Sequence, residues 1–197
     1  MSGAAGETTL RLFVALELPE GVRRALGEWA ATALSGIERL RLLDDQALHV
    51  TLCFLGATPA SALDSIGGAC RAAAAGHRAP RLSLGRVLAL PRRRPRVVAV
   101  DLGDHGGVTT LGELQAALSA RLAQDGWYRP EARPFLAHVT VARVRSHSRI
   151  DSRALERLGP VQAPTFMADT VTVFRSYTRP AGARYEALER VRLAAGG

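Results

Sequence analysis

The feature that most constrains this chain is a strand pattern that occurs twice. Ala47–Leu55 reads Ala-Leu-His-Val-Thr-Leu-Cys-Phe-Leu, and Phe135–Val144 reads Phe-Leu-Ala-His-Val-Thr-Val-Ala-Arg-Val. In a strand, successive side chains point to opposite faces. His49 and Thr51 therefore share one face, with Val50 and Leu52 on the other. His138 and Thr140 are set against Val139 and Val141 in the same way. The apolar face can pack on helices. The polar face goes to solvent or into a site, because a buried imidazole and hydroxyl without partners are costly.

What surrounds each motif repeats as well. The first half opens with the apolar segment Leu10–Leu18, and Pro19 sits where a helix can begin. Helical spacing over Gly21–Leu34 then shows in Val22, Leu26, Trp29 and Leu34. The second half opens with Arg96–Leu102. A helical stretch from Val108 to Asp125 follows, apolar at Leu111, Leu114, Leu118 and Leu122 and stopped by Gly126. Each opening strand begins about 40 positions before its histidine. Helices are expected after each motif, at Ala60–Ala75 and Ser152–Leu158, and further strands at Leu82–Leu90, Phe166–Phe174 and Arg184–Arg192. This mixture predicts an α+β fold with two antiparallel sheets. The chain should be bilobal, with pseudo-symmetric lobes of sheet and flanking helices and an active-site cleft between them. The expected bounds are a disordered tail over residues 1–9, one domain over 10–192 and a C-terminal tail over 193–197.

The formal net charge is +8, which suits an anionic partner such as nucleic acid. All 26 basic residues are arginine; so uniform a choice points to a coding bias that inflates the pI, but the excess over 18 acidic residues is real. Cys53 and Cys70 lack metal-ligand spacing and read as small buried hydrophobes. The run Leu12–Leu16 is too short for a signal peptide and is interrupted by Glu17 and Glu20. No run approaches the ~20 apolar residues of a membrane span. A cytoplasmic protein without membrane contact is expected.

If both polar faces line one cleft, two imidazoles and two hydroxyls converge from opposite sides. Histidine titrates near neutrality, so one ring can act as base while the other acts as acid. Opening a cyclic phosphate needs such a pair, one group taking a proton from water and one giving a proton to the leaving sugar oxygen. Threonine hydroxyls can hold the non-bridging oxygens as charge builds. No metal-ligand cluster is visible, so neither metal nor other cofactor is expected. Arg143 lies five residues after His138, which strict alternation puts on the opposite face; a bulge or the strand end could redirect it toward a phosphate.

Three segments carry a family resemblance: Arg11–Pro19, His49–Gly56 and Phe135–Arg143. Together they resemble the RNA 2′,3′-cyclic phosphodiesterases, formerly called 2′-5′ RNA ligases, within the two-histidine phosphoesterase superfamily. The resemblance spans about residues 10–192. It implies hydrolysis of RNA 2′,3′-cyclic phosphate ends, or of 2′,3′-cyclic nucleotides, to a 2′-phosphate, with weak reversible 2′-5′ joining of RNA ends. It implies His49 as proton donor to the leaving 3′-oxygen and His138 as proton acceptor from water. Thr51 and Thr140 would bind the phosphate, with Arg143 as third partner. Members usually carry proline before the second histidine, where this chain has Ala137.

Other residues weigh less. Phe13 fits the core, with base stacking as the alternative. Arg129 and Arg133 could contact phosphate, Arg133 alongside Phe13 as an RNA contact. His77, His105 and His147 read as exposed. The loop Pro91–Arg96 could guide RNA or be a solvated hairpin tip. Tyr177 and Tyr185 flank a turn at Gly182 and read as sheet-edge packing, with base stacking the alternative. A monomer is expected. The competing functions are a non-catalytic protein that binds RNA ends and a metallohydrolase.

Overall fold

The computed structural model describes residues 7–105, 110–145, 148–179 and 182–196. Residues 1–6 of the expected N-terminal tail lie outside these, as do Val108 and His147. Nine strands are described: β1 (Thr9–Glu17), β2 (Leu40–Leu42), β3 (His49–Pro59), β4 (Arg81–Leu90), β5 (Val97–Asp104), β6 (His138–Val144), β7 (Phe166–Met167), β8 (Thr170–Arg179) and β9 (Gly182–Arg192). Four helices accompany them: α1 (Glu20–Ala33), α2 (Leu63–Ala75), α3 (Leu111–Gln124) and α4 (Ser152–Glu156).

The strands run in the order β7-β4-β5-β6-β3-β1-β8-β9, with β2 paired to β6. The two expected sheets are thus present as half-sheets, β3-β1-β8-β9 and β7-β4-β5-β6, joined at their motif strands. The join is a single register pair, Val50 opposite Val139. Beyond it β3 and β6 diverge, and β2 fills the wedge against Ala142–Val144. Both valines are fully buried. This seam, made from the apolar faces of the two motifs, sets the lobes against each other.

Local chemistry explains where the elements begin and end. The strand pattern at Ala47 is pre-empted because Asp45–Ala47 form a 3₁₀ turn, whose preceding Asp44 side chain accepts from the Gln46 amide at 2.9 Å. β3 therefore starts at His49. α3 starts at Leu111 because Thr110 and Glu113 form a capping box. Gly126, at φ +79°, ends that region in the left-handed conformation glycine tolerates. β6 starts at His138 rather than Phe135. Its beginning is held by the Leu102 amide donating to the Ala137 carbonyl at 3.2 Å, so alanine in place of proline leaves a ladder bond there intact. The single strand expected over Phe166–Phe174 is two. β7 borders β4 in one lobe, buried Ala168 follows, and β8 returns to the other lobe.

The core is built from Leu, Val and Ala, with Leu12, Leu26, Ile66, Leu114, Leu118 and Leu122 at or below 1% exposure. Cys53 and Cys70 are buried within it as free thiols, and burial pushes both up to about 12. The core extends past the expected boundary at 192, since Leu193 is buried and Ala194 bridges Arg78. Among the described residues no helix is long and apolar enough to cross a membrane. Trimming one seam valine, Val139→Ala, should cost roughly 2 kcal/mol of stability, from lost apolar burial and the cavity left behind. Urea denaturation midpoints check this; a cost near zero would mean that the seam does not hold the lobes.

Candidate active site

The antiparallel Val50–Val139 pair leaves His49 and Thr51 flanking one valine and His138 and Thr140 flanking the other. The four side chains line one cavity of about 450 Å³ between the lobes. Each imidazole is oriented in the same way. His49 Nδ1 lies 2.8 Å from the Ala47 carbonyl, and His138 Nδ1 lies 2.8 Å from the Leu136 carbonyl. A carbonyl oxygen can only accept, so both Nδ1 atoms carry hydrogen. In both rings Nε2 is left as the working nitrogen.

The two motif strands also share a burial pattern. From each histidine onward the positions run half-buried, buried, half-buried, buried, buried, exposed, half-buried. The two adjacent buried residues mark a bulge. Opposite β1, Leu52 is the extra residue between the pairs Thr51–Ala15 and Cys53–Val14. Opposite β5, Val141 is the extra residue between Thr140–Ala99 and Ala142–Val98. One extra residue shifts the alternation by one. Arg143, which strict alternation would put on the far face, is thereby turned to line the cavity with His138 and Thr140. Phe54 occupies the equivalent place after His49 and is 64% exposed. That role for Phe54 went unread in the sequence, although the five-residue spacing it shares with Arg143 was the available signal.

His49 sits in a ring cluster. The Phe13 ring is 4.9 Å away and the Tyr185 ring 5.2 Å away edge-on, with Phe174 stacked on Phe13 at 5.2 Å. Phe13 is only 3% exposed, so its face is taken by neighbouring rings and it occupies the core position expected of it. Tyr185 lies on the edge strand, as its sequence context suggests, yet its ring reaches the cavity that holds both histidines. Burial drives the His49 imidazole down to about 4. The bond to Ala47 and the Glu17 carboxylate oppose the shift, and Arg143 and His138 add to it. Glu17 is itself held by Thr172 Oγ1 at 2.6 Å and Arg190 Nε at 2.8 Å.

A second cavity of about 610 Å³ continues from the first and shares Thr51, Phe54, His138, Thr140 and Arg143 with it. Arg96, from the base of the arginine-rich hairpin, and Arg133 line this part. Arg133 also pairs with Glu131 at 2.5 Å. Arg92, Arg93, Arg94 and Arg129 are exposed and line neither cavity. His77 bonds the Ala73 carbonyl and His105 the Ser83 hydroxyl, both away from the cleft. Tyr177 packs under the Arg175 guanidinium, 4.4 Å from the ring centroid. Among the described residues no group of three or more His, Cys, Asp or Glu side chains is placed to hold a metal ion.

This geometry has known counterparts. The family model of the 2′-5′ RNA ligase superfamily matches residues 18–179. The chain belongs to that superfamily. Relatives named RNA 2′,3′-cyclic phosphodiesterase include one from Methanothermobacter thermautotrophicus, 28% identical over 93% of this chain and 99% of its own length. One from Thermus thermophilus is also 28% identical, over 93% of this chain and 90% of its own. Among solved structures, a Thermus thermophilus protein superposes with a TM-score of 0.78 at 27% identity, covering 94% of this chain and 99% of that one. Escherichia coli LigT complexed with 3′-AMP gives 0.72 at 26% identity, with the same coverages. These two solved structures share the α+β fold described above.

The half-buried, desolvated His49 imidazole makes stability depend on pH. In the unfolded chain His49 titrates near 6.5, whereas in the fold it stays neutral down to about 4. Between those values the unfolded state binds more protons. Stability is therefore full above the unfolded value and falls as pH drops toward the folded one, by up to about 3 kcal/mol. Urea midpoints at neutral and mildly acidic pH check this, and His49→Gln should flatten part of the slope. An unchanged slope in that variant would show that His49 does not titrate this way.

Proposed function

We propose that the chain hydrolyses 2′,3′-cyclic phosphate ends of RNA, and 2′,3′-cyclic nucleotides, to the 2′-phosphate. The observation that carries this reading is the convergence of two His-x-Thr faces on one cavity, each ring presenting Nε2. A protein that only bound RNA ends would be served by arginine; paired imidazoles with matched tautomers suit proton transfer.

In the reaction, water attacks phosphorus in line with the 3′-oxygen. His138 Nε2 takes the proton from the water. The P–O3′ bond breaks, and His49 Nε2 gives its proton to the departing oxygen. The hydroxyls of Thr51 and Thr140 and the guanidinium of Arg143 donate to the two non-bridging oxygens, where negative charge builds. Joining of RNA ends follows the same path with a 5′-hydroxyl attacking in place of water: the P–O5′ bond forms, the P–O3′ bond breaks, and a 2′-5′ diester with a free 3′-hydroxyl results. The assignment of donor to His49 follows the superfamily resemblance. Because burial holds the free imidazole neutral at pH 7, His49 must gain its proton together with the anionic substrate, whose charge offsets that of Arg143. The chain acts as a metal-independent enzyme in this scheme.

Turnover of a 2′,3′-cyclic nucleotide should persist in EDTA through many cycles. Complete loss in EDTA would make the protein a metallohydrolase, and a single turnover or none would leave a binder. His49→Ala and His138→Ala should each lower kcat by roughly 10²–10⁴ with the fold retained by circular dichroism. Near-full activity in either variant refutes the pair. Binding of a nucleoside 2′-phosphate at pH 7 should take up about one proton, measured by calorimetry in buffers of different ionisation enthalpy. Zero uptake argues against His49 as the donor.

A further inference from the structure

A second cation lies beside Arg143. In the β2–β6 ladder, Arg41 is the direct cross-strand partner of Arg143. Directly opposed residues project from the same face of a sheet, and both side chains line the interlobe cavity. Arg11 joins them from the opposite lobe, and among the described residues no Asp or Glu lines this cavity. Among the described residues neither Arg41 nor Arg143 has a salt bridge. Like charges directly opposed across a ladder are unfavourable, so the pair makes physical sense as a seat for anions.

One phosphate does not need both guanidiniums. The reacting cyclic phosphate has two non-bridging oxygens. Two threonine hydroxyls and a bidentate Arg143 already supply four donors to them. Arg41 is then left for a different anion. An RNA end offers one within the same nucleotide: the 5′-phosphodiester that links the terminal nucleoside to the rest of the chain. Building on the phosphodiesterase reading, we infer that Arg41 binds this internucleotide phosphate, so that the cleft selects RNA ends over free cyclic nucleosides.

The test compares two probes that differ at one position. Adenosine 2′,3′-cyclic phosphate is prepared with a 5′-hydroxyl, or with a 5′-methylphosphate carrying the single charge of an internucleotide link. The wild-type protein should favour the methylphosphate by about tenfold in kcat/KM, through KM rather than kcat. Arg41→Gln should erase that preference, and Arg41→Lys, which keeps the charge, should restore part of it. Added salt should shrink the preference in the wild type. Equal efficiency of the wild type on both probes overturns the assignment and leaves the phosphodiesterase reading standing. Arg41→Gln slowing both probes equally also overturns it, placing Arg41 on the cyclic phosphate instead. No turnover of either probe sinks the enzymatic reading, and this inference with it.

Discussion

The structure depends on one contact between two valines. Val50 and Val139 form the single register pair between β3 and β6, and both are without measurable exposure. Their burial removes apolar surface from water and brings two half-sheets edge to edge. Because side chains alternate along a strand, fixing the valines inward forces their neighbours to the other face. Those neighbours are the two histidines and two threonines. The site is therefore a by-product of hydrophobic packing one residue away. The 2.8 Å bonds from each Nδ1 to a carbonyl two residues upstream then fix the orientation of both rings.

A symmetric frame must still act on an asymmetric substrate. The bulges at Leu52 and Val141 do the same geometric work in both strands, bringing a fifth-position side chain onto the polar face. The residues delivered there differ: an exposed aromatic ring on one strand and a guanidinium on the other. The surroundings of the imidazoles differ too. His49 is packed among Phe13, Phe174 and Tyr185, whereas the His138 ring is shared between both cavities. The repeated pattern thus supplies position, and the differing residues around it supply chemical polarity.

Much of this was legible in the sequence, for identifiable reasons. Strand alternation and helical spacing located the main elements and put His49, Thr51, His138 and Thr140 on polar faces. The superfamily resemblance supplied the roles proposed for them. The rest depends on things a linear pattern does not encode. The inward turn of Arg143 was open between a bulge and the strand end, and only the pairing shows the bulge at Val141, because one unpaired residue leaves no mark on composition. Arg41 lies on a three-residue strand, too short to show a period, and its importance comes from a partner 102 positions away. Phe166–Phe174 reads as one apolar run, and only tertiary pairing reveals that the chain changes lobes at Ala168. Phe54 is the instructive miss, since comparing the two motifs position by position would have singled it out.

The path of the chain also matters. One lobe takes β1 and β3 from the start of the sequence and β8 and β9 from its end, with the whole other lobe in between. Tyr185, Ser176 and Ala183, which help enclose the cavity, all come from that final hairpin. During synthesis both histidines leave the ribosome well before these residues do, and domains generally fold as units. A nascent or truncated chain would carry both imidazoles without the wall that shelters one of them. Fragments from stalled translation would therefore lack a finished pocket, so the catalytic arrangement is completed only with the last strand pair.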